Sequence, residues 1–236
     1  MKKWLALAAT AVLGASLLIS GCGSSTNDTS SSSAGSSKAE VLKVAANPVP
    51  HAEILNHIKP LLAKEGVDLQ IIEFTDYIQP NMALSSKEVD ANFFANVPYQ
   101  NNFNKDHGTN FVSFAPVHIE PLAIYSQKIK DLKDLPNGAK VAIPSDPTNS
   151  ARALLLLQSA GLVTLKDPTG LTNTPFDVTS NPKNIQITEL EAAQIPRSIQ
   201  DLDAAVINAN YALPAGLNPT KDGLFVEKAD SPYANL

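Results

Sequence analysis

The sequence predicts an α/β fold with open, mostly parallel sheets, and three observations carry that expectation. Short apolar runs alternate with amphipathic helical stripes from about Val41 onward, and strands alternating with helices imply a layered α/β architecture. Residues 41–45, 52–65 and 67–74 form a strand–helix–strand unit, whose connection favours a parallel pair with a right-handed crossover. The composition is globular, 44% hydrophobic and 17% charged over 236 residues, which suits one large domain or two smaller lobes.

The first element is a leader. Lys2 and Lys3 precede the apolar stretch LALAATAVLGASLLI at residues 5–19, and Ile19-Ser20-Gly21-Cys22 follows. The stretch falls short of the ~20 apolar residues a membrane span needs and has the length of a signal h-region. Small residues before Cys22 let a peptidase approach the backbone, and the thiol can carry a lipid. Residues 1–21 are therefore expected to be a signal peptide and Cys22 a lipidated anchor. Each buried acyl CH₂ contributes ~0.8 kcal/mol to such anchoring. Eight of the sixteen residues 24–39 are Ser, so residues 22–40 read as the anchor and a flexible tether.

Folded structure is expected next. Residues 41–45 read as a strand and 48–50 as a loop. The helix at 52–65 carries a stripe of Ile54, Leu55, Ile58, Leu61 and Leu62; Pro60 should kink or split it, and Gly66 should end it. Residues 67–74 form the returning strand. A short helix at 78–84, a strand at 89–94 and a helix at 98–105 follow. Strands are expected at 110–117, 121–126 and 140–144, with a helical turn at 132–136. Asp146 and Pro147 read as the cap and first turn of a helix that stops at Gly161. Residues 185–190 form a strand, 196–202 a short helix and 204–208 a buried strand.

Several function classes are excluded or left without support. The net charge of −5 and the lack of a basic run beyond Lys2-Lys3 argue against a nucleic-acid partner. The single Cys rules out an intrachain disulfide. GxSxG, GxGxxG and GxxxxGK[ST] motifs are absent, and no Ser or Cys stands in an activated context. His118 and Glu120 are two apart and can share a strand face, but a metal site needs a further partner, and His51 and His57 do not share a helical face. No metal and no cofactor is expected.

Three segments combine ring, amide and charge. The first is Asp76-Tyr77-Ile78-Gln79-Pro80-Asn81 with residues 89–99, where aromatics and Asn gather at a strand-to-helix junction. Open sheets bind ligands at the carboxyl ends of their strands. Phe93 and Phe94 face opposite ways on a strand, so one belongs to the core. The second is 145–152, where Arg152 lies about one turn into a helix whose N-terminal amides favour an anion. An exposed helix Arg is the ordinary reading of such a residue; a bidentate carboxylate grip is the alternative. The third is 206–216, an apolar strand ending in Asn208, Asn210 and Tyr211.

The stretches PHAEIL, DYIQPNMAL, EVDANFFANVPYQ, HIEPLAIYS, IPSDPTNSARALLLL, NPKNIQITELEAAQIPR, DAAVINANYALPAGLNP and DSPYANL, in this order, resemble the methionine-binding lipoproteins of bacterial ABC importers, the NlpA family. The resemblance implies a two-lobed periplasmic-binding-protein-like fold, type II, with the ligand cleft between lobes. Lobe 1 is expected at 41–118 plus 211–236 and lobe 2 at 119–210. It also implies a non-enzymatic receptor for methionine, L or D, serving an ABC permease and its ATPase from the extracytoplasmic side of a membrane. Family ligand residues fall on Tyr77, Phe94, Asn96, Tyr99, Arg152, Asn210 and Asn235. Aromatics enclose the thioether, Arg152 holds the carboxylate and the Asn side chains orient the head group. Sulfur packs favourably on such rings, by ~0.3–1.5 kcal/mol per contact.

Two departures from the family stand out. The family commonly has His where this chain has Asn96, so a methionyl dipeptide or another amino acid is the alternative ligand. Family members also continue beyond the position of Leu236, so C-terminal elements are expected to be missing here. A secreted hydrolase and a metal receptor built on His118 and Glu120 are the remote alternatives.

Overall fold

A computed structural model describes residues 39–229. The expected signal peptide, Cys22, most of the tether and Asn235 lie outside the described residues. No helix among the described residues is long and apolar enough to cross a membrane.

Two sheets organise the chain. The first has the order β2-β1-β3, built from β1 (Glu40–Ala46), β2 (Val67–Glu73) and β3 (Ala91–Phe93). All three strands are parallel, with Val44 opposite Ile71 on one side and Ala91 on the other. Strand alternation sends Val44 and Ala46 to one face, where they pack with Leu55 and Leu69, and Ala45 to the other, where it meets Ala83 and Val89. Helix α1 (Glu53–Lys64) covers the first face and α2 (Gln79–Ser85) the second. Helix α1 runs as one element through Pro60, so the expected split does not occur. Pro60 is exposed near the helix end, where water can satisfy the carbonyl it leaves unpaired. Leu55 carries the inward stripe while Leu61 is 54% exposed. Gly66, with φ +83°, ends the helix in the left-handed conformation.

The second sheet has the order β10-β4-β9-β5-β8. Its strands are β4 (Leu122–Tyr125), β5 (Lys140–Pro144), β8 (Gln186–Leu190), β9 (Ala204–Asn208) and β10 (Phe225–Val226). Strands β5, β8 and β9 are parallel, whereas β4 runs antiparallel to β9 and β10 antiparallel to β4. Helix α4 (Pro147–Ser159) covers one face through Leu154 and Leu157, packed on Leu122, Ile143 and Val206. On the other face Ala123, Ala142 and Ile207 meet Ile195 of the short α5 (Ile195–Ser198). All five β9 residues are buried, as a central strand covered on both faces requires. A separate antiparallel pair, β6 (Thr164–Leu165) with β7 (Val178–Ser180), was not legible in the sequence.

Three expectations change. Residues 110–117 form no strand: Val112 is 82% and Phe114 88% exposed, and no ladder partner stands beside them among the described residues. The segment is the crossing that carries the chain from α3 (Val97–His107) to β4. The tail, expected to join the first lobe, instead pairs Phe225 and Val226 with Ile124 and Ala123 in the second sheet. The strand expected at 89–94 shortens to β3: Asp90 bonds Lys43 through its own amide at 2.9 Å and through its carboxylate at 2.8 Å, just ahead of the first ladder pair, Val44 with Ala91.

Candidate functional site

The carboxyl ends of strands from both sheets meet at one place. Asn47 follows β1, Phe94 and Asn96 follow β3, Asp146 follows β5, and Asn208 closes β9. Asn47 is almost fully buried and donates Nδ2 to the carbonyls of Phe74 at 2.7 Å and Asp76 at 3.2 Å. Those bonds fix the loop behind β2 that carries Tyr77. Asp76 continues the scaffold by accepting the amides of Ile78 and Gln79.

Three rings assemble around Tyr77. Its centroid lies 6.0 Å from Phe94, 5.8 Å from Tyr99 and 5.0 Å from Tyr211, and Phe94 lies 5.8 Å from Tyr99. These separations are those of tilted and edge-on aromatic pairs. Tyr99 donates its hydroxyl to the Tyr77 carbonyl at 2.7 Å. Tyr77 in turn donates to Asn210 Oδ1 at 2.6 Å, and Tyr211 donates to the Thr75 carbonyl at 3.1 Å. Desolvation, reinforced by Tyr211, holds the Tyr77 phenol well above its ordinary range, so it stays protonated as a donor. Phe93 and Phe94 divide as the strand geometry requires: Phe93 packs with the α1 core and Phe94 lines the site.

Arg152 is buried, not exposed, at 4%. Asp146 caps α4 by accepting the Asn149 amide at 2.9 Å, and Arg152 follows one turn later. Its Nε lies 3.0 and 3.1 Å from the two carboxylate oxygens of Glu227, its Nη2 donates to Glu227 Oε2, and Nη2 also donates to the Glu120 carbonyl at 2.7 Å. Glu227 is itself fixed by accepting the Leu122 amide at 3.0 Å. The guanidinium is thus held rigidly at the wall of the site, its charge compensated by the Glu227 carboxylate. Asn208 Nδ2 donates to Asn149 Oδ1 at 3.0 Å, and Asn149 donates to Asp146, tying the ends of β9 and β5 together. Burial raises the Asp146 carboxyl above its usual range against the opposing Asn149 bonds.

Tyr77, Phe94, Asn96, Tyr99, Glu120 and Arg152 line one small chamber, with Asn149 and Asn208 beside them. Its volume is about 20 Å³, room for roughly one water. It shares Tyr77 and Tyr99 with an adjoining groove of about 510 Å³. Asn96 does double duty: its Oδ1 caps α3 by accepting the Tyr99 amide at 2.9 Å. Asn210 does not line the chamber directly but reaches it through the Tyr77 bond.

A polar cluster backs the chamber. Glu120 Oε1 lies 2.8 Å from His118 Nε2 and 3.5 Å from His51 Nε2. Burial raises the Glu120 carboxyl and His118 opposes that rise. Burial, aided by His118, pulls the His51 imidazole down to about 3, so it is neutral. In the sequence His51 and His57 share no helical face, and spacing carries no trace of the meeting of His51 with His118 and Glu120. Glu227, Asn149 and the pocket role of Glu120 were missed as well. Of these, only Asn149 stood in a segment already singled out.

A family model described as NlpA lipoprotein matches residues 42–236. The D-methionine-binding lipoprotein MetQ of Salmonella typhimurium is 44% identical over 236 residues, covering 99% of this chain and 84% of that protein. A nutrient binding protein from Burkholderia cenocepacia, solved bound to methionine, is 49% identical with a TM-score of 0.80, covering 83% of each chain. A periplasmic substrate-binding protein of an ABC transporter from Coxiella burnetii is 45% identical with a TM-score of 0.79, again covering 83% of each.

Proposed function

The chain belongs to the NlpA lipoprotein family, and from that premise we propose that it captures methionine outside the cytoplasm and delivers it to an ABC importer. It is a two-lobed solute-binding protein and not an enzyme. The observation that carries the ligand reading is the buried Arg152 facing an aromatic enclosure across one chamber. A zwitterionic amino acid with an apolar side chain needs both: a fixed cation for its carboxylate and rings for the side chain.

In this reading Tyr77, Phe94 and Tyr99 enclose the thioether, Arg152 grips the carboxylate, and Asn96, Asn210 and Asn235 orient the head group. The two sheets are the cores of the lobes, 41–118 and 119–210. The chain crosses between them near 108–121 and again beyond Asn210. Tyr77 to Asn210 and Tyr211 to Thr75 are contacts of the closed arrangement, and a chamber of about 20 Å³ requires the lobes to part for an amino acid to enter. A lipid on Cys22 and the Ser-rich tether confine the receptor near its permease and ATPase, raising its effective concentration there.

Isothermal titration of the purified chain with L-methionine and D-methionine tests the reading: saturable heat at one equivalent is expected, and no heat with either overturns it. The second reading, a methionyl dipeptide, rests on Asn96 and on the groove adjoining the chamber. Competition between methionine and Gly-Met separates the two.

A further inference from the structure

We infer that His51, His118 and Glu120 form a site for one divalent transition-metal ion of the zinc class, behind the amino-acid chamber. The ring nitrogens and carboxylate oxygen of these residues all lie within 4.8 Å of one another. Both imidazoles aim Nε2 at the same Glu120 Oε1, at 2.8 and 3.5 Å. Ligand atoms this close already converge on a shared point, and modest rotations bring three bonds of about 2.0–2.2 Å to one ion.

An independent observation points to a missing partner. His51 is fully buried with the Val49 backbone as a hydrogen-bond partner on one side of its ring. Its Nε2, 3.5 Å from Glu120, makes no hydrogen bond among the described residues, and His118 Nδ1 is likewise buried without one. Folded proteins normally satisfy such atoms. The His51 ring cannot turn outward to find water, because Phe93 stands edge-on at 4.9 Å and His118 at 5.1 Å. A cation at Nε2 supplies that partner and compensates the buried Glu120 carboxylate.

The donor set selects the class of ion. Two imidazoles and one carboxylate suit zinc and its first-row neighbours, with a fourth position left open. Calcium and magnesium prefer all-oxygen shells. The placement also gives the ion a structural consequence. His51 follows β1 of the first sheet, whereas His118 and Glu120 lie on the crossing that leads into β4. The Glu120 carbonyl holds Arg152, so an ion on its carboxylate stiffens the same residue that positions the guanidinium.

Optical titration of the chelator-stripped full chain with Co²⁺ tests this without any amino acid present, so its outcome is independent of the methionine reading. The expected result is visible absorption saturating at one equivalent and displaced by one equivalent of Zn²⁺. It is abolished in His51→Ala and His118→Ala and retained in His57→Ala, an exposed histidine of α1. Circular dichroism confirms that each variant is folded, and Glu120→Gln provides a third, milder lesion that should weaken Co²⁺ at least tenfold. Absence of the bands in the unmodified chain overturns the site whatever the variants do. Bands that persist in folded His51→Ala and His118→Ala overturn it too, assigning the metal to surface histidines.

Discussion

The Tyr77 hydroxyl donates to Asn210 Oδ1 at 2.6 Å, joining residues 133 apart in sequence across the two sheets. The loop behind β2 and the short helix α6 (Ala209–Ala212) are thereby held against each other at the mouth of the chamber. Tyr77→Phe keeps the ring and removes the bond. A hydrogen bond of this kind contributes a net ~0.5–1.5 kcal/mol, so methionine affinity should fall roughly 2- to 10-fold. Titration calorimetry reads the change. Unaltered affinity would mean that the bond contributes nothing to the closed arrangement.

Arg152 and Glu227 form a buried pair with Nε–carboxylate distances of 3.0 and 3.1 Å. Removing one partner of such a pair costs about 3–5 kcal/mol, because the other charge stays buried and uncompensated. Arg152→Ala should therefore lower both affinity and stability. Glu227→Ala should lower stability by a similar amount in urea unfolding, although Glu227 is not among the expected ligand residues. The double variant Arg152→Met with Glu227→Gln should recover part of the stability while still failing to bind methionine. A Glu227→Ala protein as stable as the parent would sink the structural role of the pair.

The contrast between Arg152 and Glu227 shows what was legible in the sequence. Arg152 stood behind a readable cap, Asp146-Pro147, and within a long family-like stretch, so its position on α4 was legible. Glu227 stands in a tail whose pairing with β4 is set by long-range contact, and no local period announces a two-residue strand. The same limit explains residues 110–117: their apolar pattern suits a strand, but strand formation needs a neighbour to pair with, and none of the described residues stands beside Phe114 as one. His51 joins His118 and Glu120 only after β1 and the crossing before β4 are brought together. Local chemistry such as the Asp146 cap, the Gly66 terminus and the buried β9 was readable because each depends on residues within one turn or one strand.

Asp203 gives the fold a defined acid sensitivity. Its carboxylate accepts the Lys140 amide at 2.8 Å and the Lys128 ammonium at 3.0 Å, and these, the amide first, hold its pKa below the usual carboxylate range. A depressed folded pKa means that the stabilisation is present above the ordinary Asp range and is lost as pH falls through the folded value. Solvent reaches this group, so its contribution is at most about 1 kcal/mol. Asp203→Asn should be less stable than the parent near about pH 6 and converge with it below about pH 3. Urea unfolding at several pH values follows the convergence; a difference that stays constant with pH would show that the charge is not responsible.

Asn96 separates a helix cap from a ligand contact. Its Oδ1 accepts the Tyr99 amide at 2.9 Å at the start of α3, a helix that Gly108 closes with φ +66°. Asn96→Ala removes the cap and should cost ~1 kcal/mol of stability, whereas Asn96→Ser keeps an oxygen for the amide and should stay within a few tenths of a kcal/mol of the parent. Asn96→His, the residue common in the resembling family, lacks the short side-chain oxygen and should be destabilised like the Ala variant. Affinity divides differently. If Asn96 acts only by placing Tyr99, the Ser variant binds methionine as the parent does and Ala weakens binding through Tyr99. If its amide also touches the head group, Ser weakens binding while leaving stability intact. Thermal unfolding and titration calorimetry on the same three variants distinguish these outcomes, and a Ser variant that loses stability as Ala does would remove Asn96 from the capping role altogether.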